Sequence, residues 1–418
     1  EDLRVLRRGT SPICPRARDG RPIAPFPGVL LRAGLAWAAT PDRKGRMRLR
    51  LATLNTWGLP EPFSEKPGLR IEAIARRLAG LAVDAIAFQE VWTPSARARL
   101  DRAGRDAGLA HGWHNDQSLG GSGLLVLSRL PIEAAHFERF ALGGLPERVT
   151  QADYFGGKGF ARLRLSTPAG PIELVDTHLQ ARYSMEGENR YAPLRTGQIV
   201  QFALGLRALR DPVIALGDFN CGDPEPEHRV LVGLTGLRDV AMALDRCEPT
   251  VLHSNPYRSH HRSDHRVDLV LARDGRDRRL VPRSVQRIFD ETFLLDGEPA
   301  SYSDHAGVLT ELEIVAGRGA PPPAPDAATL ELAQRMLDEG RAEAEQRCRQ
   351  HWNWAGAGLA CATAVAAGER AAPSLTRRRL LHATLQGAGL LALASTAACS
   401  MLAERFEPSE IRAFRQLS

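Results

Sequence analysis

Closely spaced cysteines are missing from this 418-residue sequence. Cys14, Cys221, Cys247, Cys348, Cys361 and Cys399 are scattered with no C-x-x-C spacing, which excludes a zinc ribbon and the disulfide framework that staples small secreted domains. Cys221 and Cys247 are the pair a bridge would join, and spacing alone leaves that open. Charge of one sign is in only mild excess: 55 Lys and Arg against 49 Asp and Glu give a net +6. With 43% apolar and 25% charged residues the composition shows no bulk disorder. Lysine is scarce beside arginine, so the basicity fits an arginine-rich surface as well as a phosphate-bearing partner, nucleic acid or an anionic membrane. The length accommodates one large domain with appendages or two ordinary domains.

Residues 1–46 are rich in Arg, Pro and Gly without a helix or strand period, and they read as mostly disordered. Within them, 27–40 ends in Ala-Trp-Ala-Ala, loosely like the end of a signal peptide, although Arg32 interrupts the apolar run; Met47 serves equally as a natural start. From 47 to 316 short apolar runs alternate with helical stretches and turns, the pattern of one domain. Strands are expected at 49–54, 85–88, 124–127, 172–175, 213–216, 267–271 and 308–314, and helices near 69–81 and 193–209.

The Pro-rich stretch 317–326 reads as a semi-rigid linker. Beyond it, 327–418 is expected to be a helical region with apolar segments 352–368 and 380–402, separated by a basic loop with Arg370, Arg377, Arg378 and Arg379. Spanning a bilayer core takes about 20 apolar residues. The second segment is long enough and the first is short, so membrane association through these segments is expected, against the alternative of a buried Ala- and Gly-rich helical pair.

Several apolar runs end in side chains suited to metal and phosphate. The first leads to Asn55-Thr56-Trp57-Gly58, the second to Gln89-Glu90. Others lead to Asp176-Thr177-His178 and to Gly217-Asp218-Phe219-Asn220; Asp268 opens another run, and Ser303-Asp304-His305 precedes the last. Each cluster alone is usually a turn, a solvated acid or a core histidine, but six in this order suggest one site. Cleaving a phosphodiester needs charge neutralised on the phosphoryl oxygens and an activated water. Magnesium, or manganese in its place, takes hard oxygen ligands. Glu90 suits that task, with Asn55 adding an amide oxygen directly or through water. A neutral His305 oriented by Asp268 suits proton transfer. His178 and Asn220 suit donation to the non-bridging oxygens, and Asp218 suits orienting or deprotonating the nucleophile.

Together these residues resemble the motif set of the endonuclease/exonuclease/phosphatase superfamily over residues 49–314. The resemblance implies an α/β fold, a four-layer α-β-β-α sandwich of two mixed sheets, here followed by a helical hydrophobic C-terminal tail. It also implies a magnesium site where strand ends converge, the matching Glu on the metal, the Asp–His pair on the proton, and the Gly-Asp-x-Asn residues beside the scissile phosphate. Within that superfamily, Asn55-Thr56-Trp57-Gly58-Leu59-Pro60 is similar to the opening of neutral sphingomyelinases. Asp153 through Lys158 and Gly159 resembles their Asp-x-x-x-Gly-Lys-Gly element, whose Asp and Lys are associated with gating; Asp304 is a further substrate-binding or gating candidate. Thr177-His178-Leu179-Gln180-Ala181-Arg182-Tyr183, then Tyr191 and Arg195-Thr196-Gly197-Gln198, matches another of their elements, with Leu194 where that family has His and Leu269 where it has Tyr or His.

The resemblance implies a phospholipase C type phosphodiesterase acting on a phospholipid head group by in-line attack of water, with a membrane surface as partner. The alternative is a DNA or RNA nuclease of the same superfamily, for which the basic charge would supply backbone contacts. A binding module without catalysis would need a lost catalytic residue, and none is lost.

Overall fold

The computed structural model describes residues 46–115, 122–145, 156–183, 189–258, 263–371 and 379–417. The 1–45 segment, Asp153 and most of the basic loop at 372–378 lie outside these residues. In chain order the elements are β1 (Met47–Asn55), α1 (Pro67–Leu78), β2 (Ala85–Gln89), α2 (Pro94–Asp106), β3 (His111–His114), β4 (Leu125–Ser128), β5 (Ile132–Arg139) and β6 (Gly159–Leu165). There follow β7 (Ile172–His178), α3 (Ala192–Leu206), β8 (Val213–Asp218), α4 (Pro226–Thr235), β9 (Arg238–Asp239), α5 (Val240–Ala243), β10 (Asp268–Arg273) and β11 (Arg278–Ile288). The rest are β12 (Phe293–Leu295), β13 (Glu298–Ala300), β14 (Gly307–Ala316), α6 (Ala327–Ala371), α7 (Arg379–Met401), a π-helical turn (Leu402–Phe406) and α8 (Glu407–Leu417).

The strands form two six-stranded sheets, ordered β11-β14-β1-β2-β4-β3 and β5-β6-β7-β8-β10-β9. Pairs β1/β2 and β7/β8 are parallel and the others antiparallel, so both sheets are mixed. A parallel pair needs a crossover, and α1 and α3 supply the two.

Successive side chains on a strand face opposite ways, and here both directions are apolar. In β1, Leu49 and Leu51 enter the core between the sheets, whereas Ala52 and Leu54 pack under the helices of the first sheet. In β8, Ile214 and Leu216 enter the shared core, and Val213 and Ala215 face the helices of the second sheet. Two outer cores flanking one inner core make four layers.

All seven expected runs fall in strands, and α1 and α3 cover most of the expected helices. Further strands appear where burial is one-sided. β5 and β11 are sheet edges, and β6 alternates buried Phe160, Ala161, Leu163 and Leu165 with half-buried Arg162 and Arg164. Helix α2 is marked by its cap: Thr93 accepts from Ala96 N at 3.2 Å with Pro94 at the first helical position. Cys221 and Cys247 are free, the first buried and the second exposed.

Residues 317–326 run without regular structure from β14 to α6. The first half of α6 lies against the body: Ala333 and Met336 join the core over α3 and α4. After α7 and the π-helical turn, α8 returns to the same place. Phe414 is buried with Leu142, Leu194 and Leu337, and Gly340 of α6 leaves room for its ring. Glu410 accepts two hydrogen bonds from Arg347, at 2.6 and 2.7 Å.

The far half of α6 pairs with α7 as an antiparallel hairpin, with Gly358 close against Thr396 and Gly389 beside Val365. Its outer surface is apolar and exposed: Trp354 is 67%, Leu390 68% and Leu391 73% accessible. The helical stretch Gln386–Leu417 is long and apolar enough to cross a membrane.

Phe414→Ala would empty the α8 anchor. A loss of about 3 kcal/mol or more in urea unfolding is expected for a buried aromatic; an unchanged midpoint would mean that α8 is not docked.

Candidate active site

Sheet register brings the candidate residues together. Asn55 is paired with Gln89 across β1 and β2, and Asp218 is paired with both His178 and Asp268 across β7, β8 and β10. All therefore stand at one end of the sandwich. The turns that follow are tight: Glu90 (φ 60°), Asn220 (φ 49°) and Trp57 (φ 46°) occupy the left-handed region, which non-glycine residues adopt at a cost. Gly58 lies against the Glu90 carbonyl, where a Cβ would collide.

Asn55 Nδ2 donates to Glu90 Oε1 at 3.0 Å and to Asp218 Oδ2 at 2.9 Å, while its Oδ1 accepts from Trp57 N at 3.0 Å. The amide nitrogen, rather than the oxygen expected as a metal ligand, thus faces the carboxylates. Asn220 N donates to Asp218 Oδ1 at 2.9 Å, and Asn220 Nδ2 to Leu179 O at 3.1 Å.

Opposite them, His305 Nδ1 and Asp268 Oδ2 are 2.9 Å apart, both buried. Lys158, one of only three lysines in the sequence, is buried with Nζ 3.0 Å from His178 Nε2 and 2.7 Å from Leu179 O. An ammonium can only donate, so Nε2 of His178 accepts and its proton sits on Nδ1. His178 Nε2 also lies 3.4 Å from Asp218 Oδ2.

The electrostatics follow from burying several carboxylates together. Burial, then Asp304, pushes Glu90 up to about 7, against the opposing hydrogen bond from Asn55. Burial and Asp268 push Asp218 up to about 6. Burial and Lys158 hold His178 well below its ordinary value, so it is neutral. Burial would lower His305 too, but Asp268, Asp304 and Asp218 overcome it and push the ring up to about 10. The sequence suggests a neutral His305; the surrounding carboxylates favour its protonated form. Asp304 stays low despite burial, chiefly because Arg258 Nη2 donates to it at 2.6 Å.

These residues fit a hard divalent cation. Glu90 is a half-buried carboxylate held by an amide, beside Asp218 on the same amide. Asp218, Asp268 and His305 also present ligand atoms within 4.8 Å of one another, although the His305–Asp268 hydrogen bond already engages two of those groups.

Two other participants lacked a motif: Arg258 on Asp304, and Thr250 accepting from Asp268 N at 3.2 Å. Asp176, which opens the Asp176-Thr177-His178 cluster, accepts from Gln89 Nε2 at 2.7 Å. Arg258 and Thr250 are single residues in irregular chain, so only the fold joins them to the site. Gln89 was marked by its place beside Glu90.

Residues 52–305 match the Endonuclease/Exonuclease/phosphatase family. The chain is 29% identical over 278 residues to a Drosophila melanogaster protein assigned to the neutral sphingomyelinases, covering 64% of this chain and 61% of that protein. It is 29% identical over 226 residues to inositol phosphosphingolipids phospholipase C of Saccharomyces cerevisiae (48% and 47%), and 28% over 197 residues to sphingomyelin phosphodiesterase 2 of Homo sapiens (46% each). This chain thus spans between 46% and 61% of the length of these relatives. Among solved structures, Staphylococcus aureus beta toxin superposes with a TM-score of 0.51 at 17% identity, covering 63% of this chain and 99% of that one. D. rerio TDP2 complexed with single strand DNA product gives 0.50 at 19%, covering 63% and 98%. Both show the fold.

The shifts fix the sign of a pH dependence. Glu90, Asp218 and His305 all bind protons more tightly folded than unfolded, so each stabilises the ion-free protein at low pH. That contribution falls as pH rises, over about 4–7 for the two acids and 6.5–10 for His305. Glu90→Gln removes a half-buried charge, so it is expected to raise the ion-free Tm at about pH 8 and leave it unchanged at about pH 4. Millimolar magnesium should raise the wild-type Tm at the higher pH and not that of the variant; equal magnesium shifts would remove Glu90 from the metal site.

Proposed function

The chain belongs to the endonuclease/exonuclease/phosphatase family, and from that premise we propose that its cleft is a magnesium-dependent phosphodiesterase cleaving the head group from a phospholipid, as a sphingomyelinase-type phospholipase C. The observation that carries this is one cluster at one end of the sandwich: Asn55 joins Glu90 to Asp218, Asp218 presents ligand atoms within 4.8 Å of Asp268 and His305, and Lys158 Nζ lies 3.0 Å from His178 Nε2.

Residues 47–316 form the catalytic unit in this reading. Glu90, with Asn55 holding it in place, would hold Mg2+ or Mn2+; when bound, the ion offsets charge on the phosphoryl oxygens. Lys158 and Asn220 bind the non-bridging oxygens, and His178 keeps Lys158 pointed at them. Asp218 orients the attacking water. His305, backed by Asp268, takes that water's proton once the field of the surrounding carboxylates is offset. The new P–O bond forms as the bond to the lipid oxygen breaks. The departing lipid oxygen takes a proton from solvent and leaves as an alcohol, the head group leaves as a phosphomonoester, and His305 returns its proton to solvent.

Lipid is favoured over nucleic acid by the exposed apolar hairpin of α6 and α7, by the Lys158 element, and by relatives whose names specify sphingolipid substrates. The hairpin would hold the enzyme at the membrane, with Asp304 and Arg258 at the entrance for the head group; Asp153 is retained as a gating candidate on the sequence resemblance.

The test is phosphocholine release from sphingomyelin in mixed micelles with and without magnesium, alongside plasmid DNA. Magnesium-dependent release is expected, reduced roughly 10²- to 10⁴-fold by His305→Ala. DNA nicking without lipid turnover would overturn the lipid reading. In a separate flotation assay, Leu390→Ser with Leu391→Ser should weaken binding to liposomes, and unchanged flotation would rule out the hairpin as the contact.

A further inference from the structure

Among the largest side chains with no solvent exposure, two are arginines, Arg70 and Arg195. Arg195 is ion-paired: its Nη2 lies 2.9 Å from Glu227 Oε1. Arg70, on α1, is bound differently, since all its hydrogen bonds go to main-chain carbonyls. Nε donates to Glu65 O at 2.7 Å, Nη1 to Thr56 O at 2.8 Å and Tyr302 O at 3.2 Å, and Nη2 to Trp57 O at 2.6 Å. Its guanidinium also lies 4.8 Å from the Trp57 ring centroid and 5.7 Å from that of Tyr257, two rings themselves 5.2 Å apart.

Burying a cation without a directly paired anion is costly, and burial lowers the Arg70 pKa against the distant pull of Asp304. A hydrophobic side chain would serve α1 packing at less cost, so the cation's use lies in what it connects. Thr56 and Trp57 follow Asn55, and the Trp57 N–H is what holds Asn55 Oδ1 and so aims Nδ2 at Glu90 and Asp218. Tyr302 precedes Ser303, Asp304 and His305. One planar fork therefore grips the segment that orders the carboxylate side of the cleft and the segment that carries its imidazole.

We propose that Arg70 is a positioning residue for the reaction: its guanidinium sets the separation between the Asn55–Glu90 side and the His305 side by pinning Thr56 and Trp57 against Tyr302. This rests on the hydrolase reading above. Lysine cannot replace it, because a single ammonium nitrogen cannot reach four carbonyls spread around a planar group.

Arg70→Lys and Arg70→Gln are compared with Ile74→Ala, a neighbouring α1 core change that removes no hydrogen bond to either segment. Each full-length variant is measured by Tm, by kcat and KM on sphingomyelin micelles with magnesium, and by amide hydrogen exchange. Both Arg70 variants are expected to lose roughly 100-fold in kcat, as for a misplacement near 1 Å. KM should move by less than about threefold, and exchange should quicken at 55–60 and 301–305 above the rest of the chain. A kcat loss no greater than that of Ile74→Ala at matched Tm, restoration by Lys, or exchange rising evenly would overturn the proposal. If the wild type turns over no lipid, the substrate reading fails while the exchange measurement still decides the role of Arg70.

Discussion

The hydrogen bond from Asn55 Nδ2 to Asp218 Oδ2 crosses from one sheet to the other, and the site depends on it. The space between the sheets is otherwise filled by aliphatic side chains, which specify that the sheets pack but only loosely how they are aligned. A polar group buried there must find its partner in a single placement or remain unsatisfied. Gln89 and Asp176 make a second such bond close by. Together they lock the alignment at the end where six strand termini gather the candidate site, so the proposed catalytic residues and sheet registry coincide.

Gathering these carboxylates is electrostatically unfavourable. Acidic side chains gather where little solvent reaches, burial and mutual repulsion push two of them toward neutrality, and the same carboxylates push the His305 imidazole toward its charged form. Backbone strain accompanies this, with Glu90 and Asn220 both left-handed at strand ends. Neither feature helps the chain fold. Both are sustained by three apolar cores that over-determine the sandwich, the usual circumstance in which strained functional residues persist.

What could be read from the sequence follows the same division. Strands buried on both faces announce themselves as continuous apolar runs, so β1, β2, β7, β8 and β10 were legible, and so were the polar clusters that end them. Edge strands such as β5 and β11 carry alternating or charged residues and resemble loops. Within the site, side chains belonging to a cluster were legible by type. Their orientation was not: that Asn55 turns its nitrogen to the carboxylates, that His178 accepts from Lys158, and that carboxylates favour a protonated His305 depend on burial and on neighbours between 20 and 163 residues away. Arg70 looked like one arginine among many on an amphipathic helix, and only its complete burial singles it out. The tail was legible as apolar helices, but not as a structure that leaves the body and returns to it.

Helix α6 runs unbroken for 45 residues, a rod of roughly 68 Å at 1.5 Å per residue. Its first half is fused to the catalytic body and its second half to the apolar hairpin, with no break between. The height and heading of the cleft relative to whatever surface receives the hairpin are therefore set by helical phase. One residue inserted at the midpoint would set the hairpin about 100° out of phase with the body, at the cost of the α8 docking that also ties the two, whereas seven would bring it nearly back while lengthening the rod by about 10 Å. On the proposed lipid reading, access to a head group is in this sense a problem of gearing as much as of affinity.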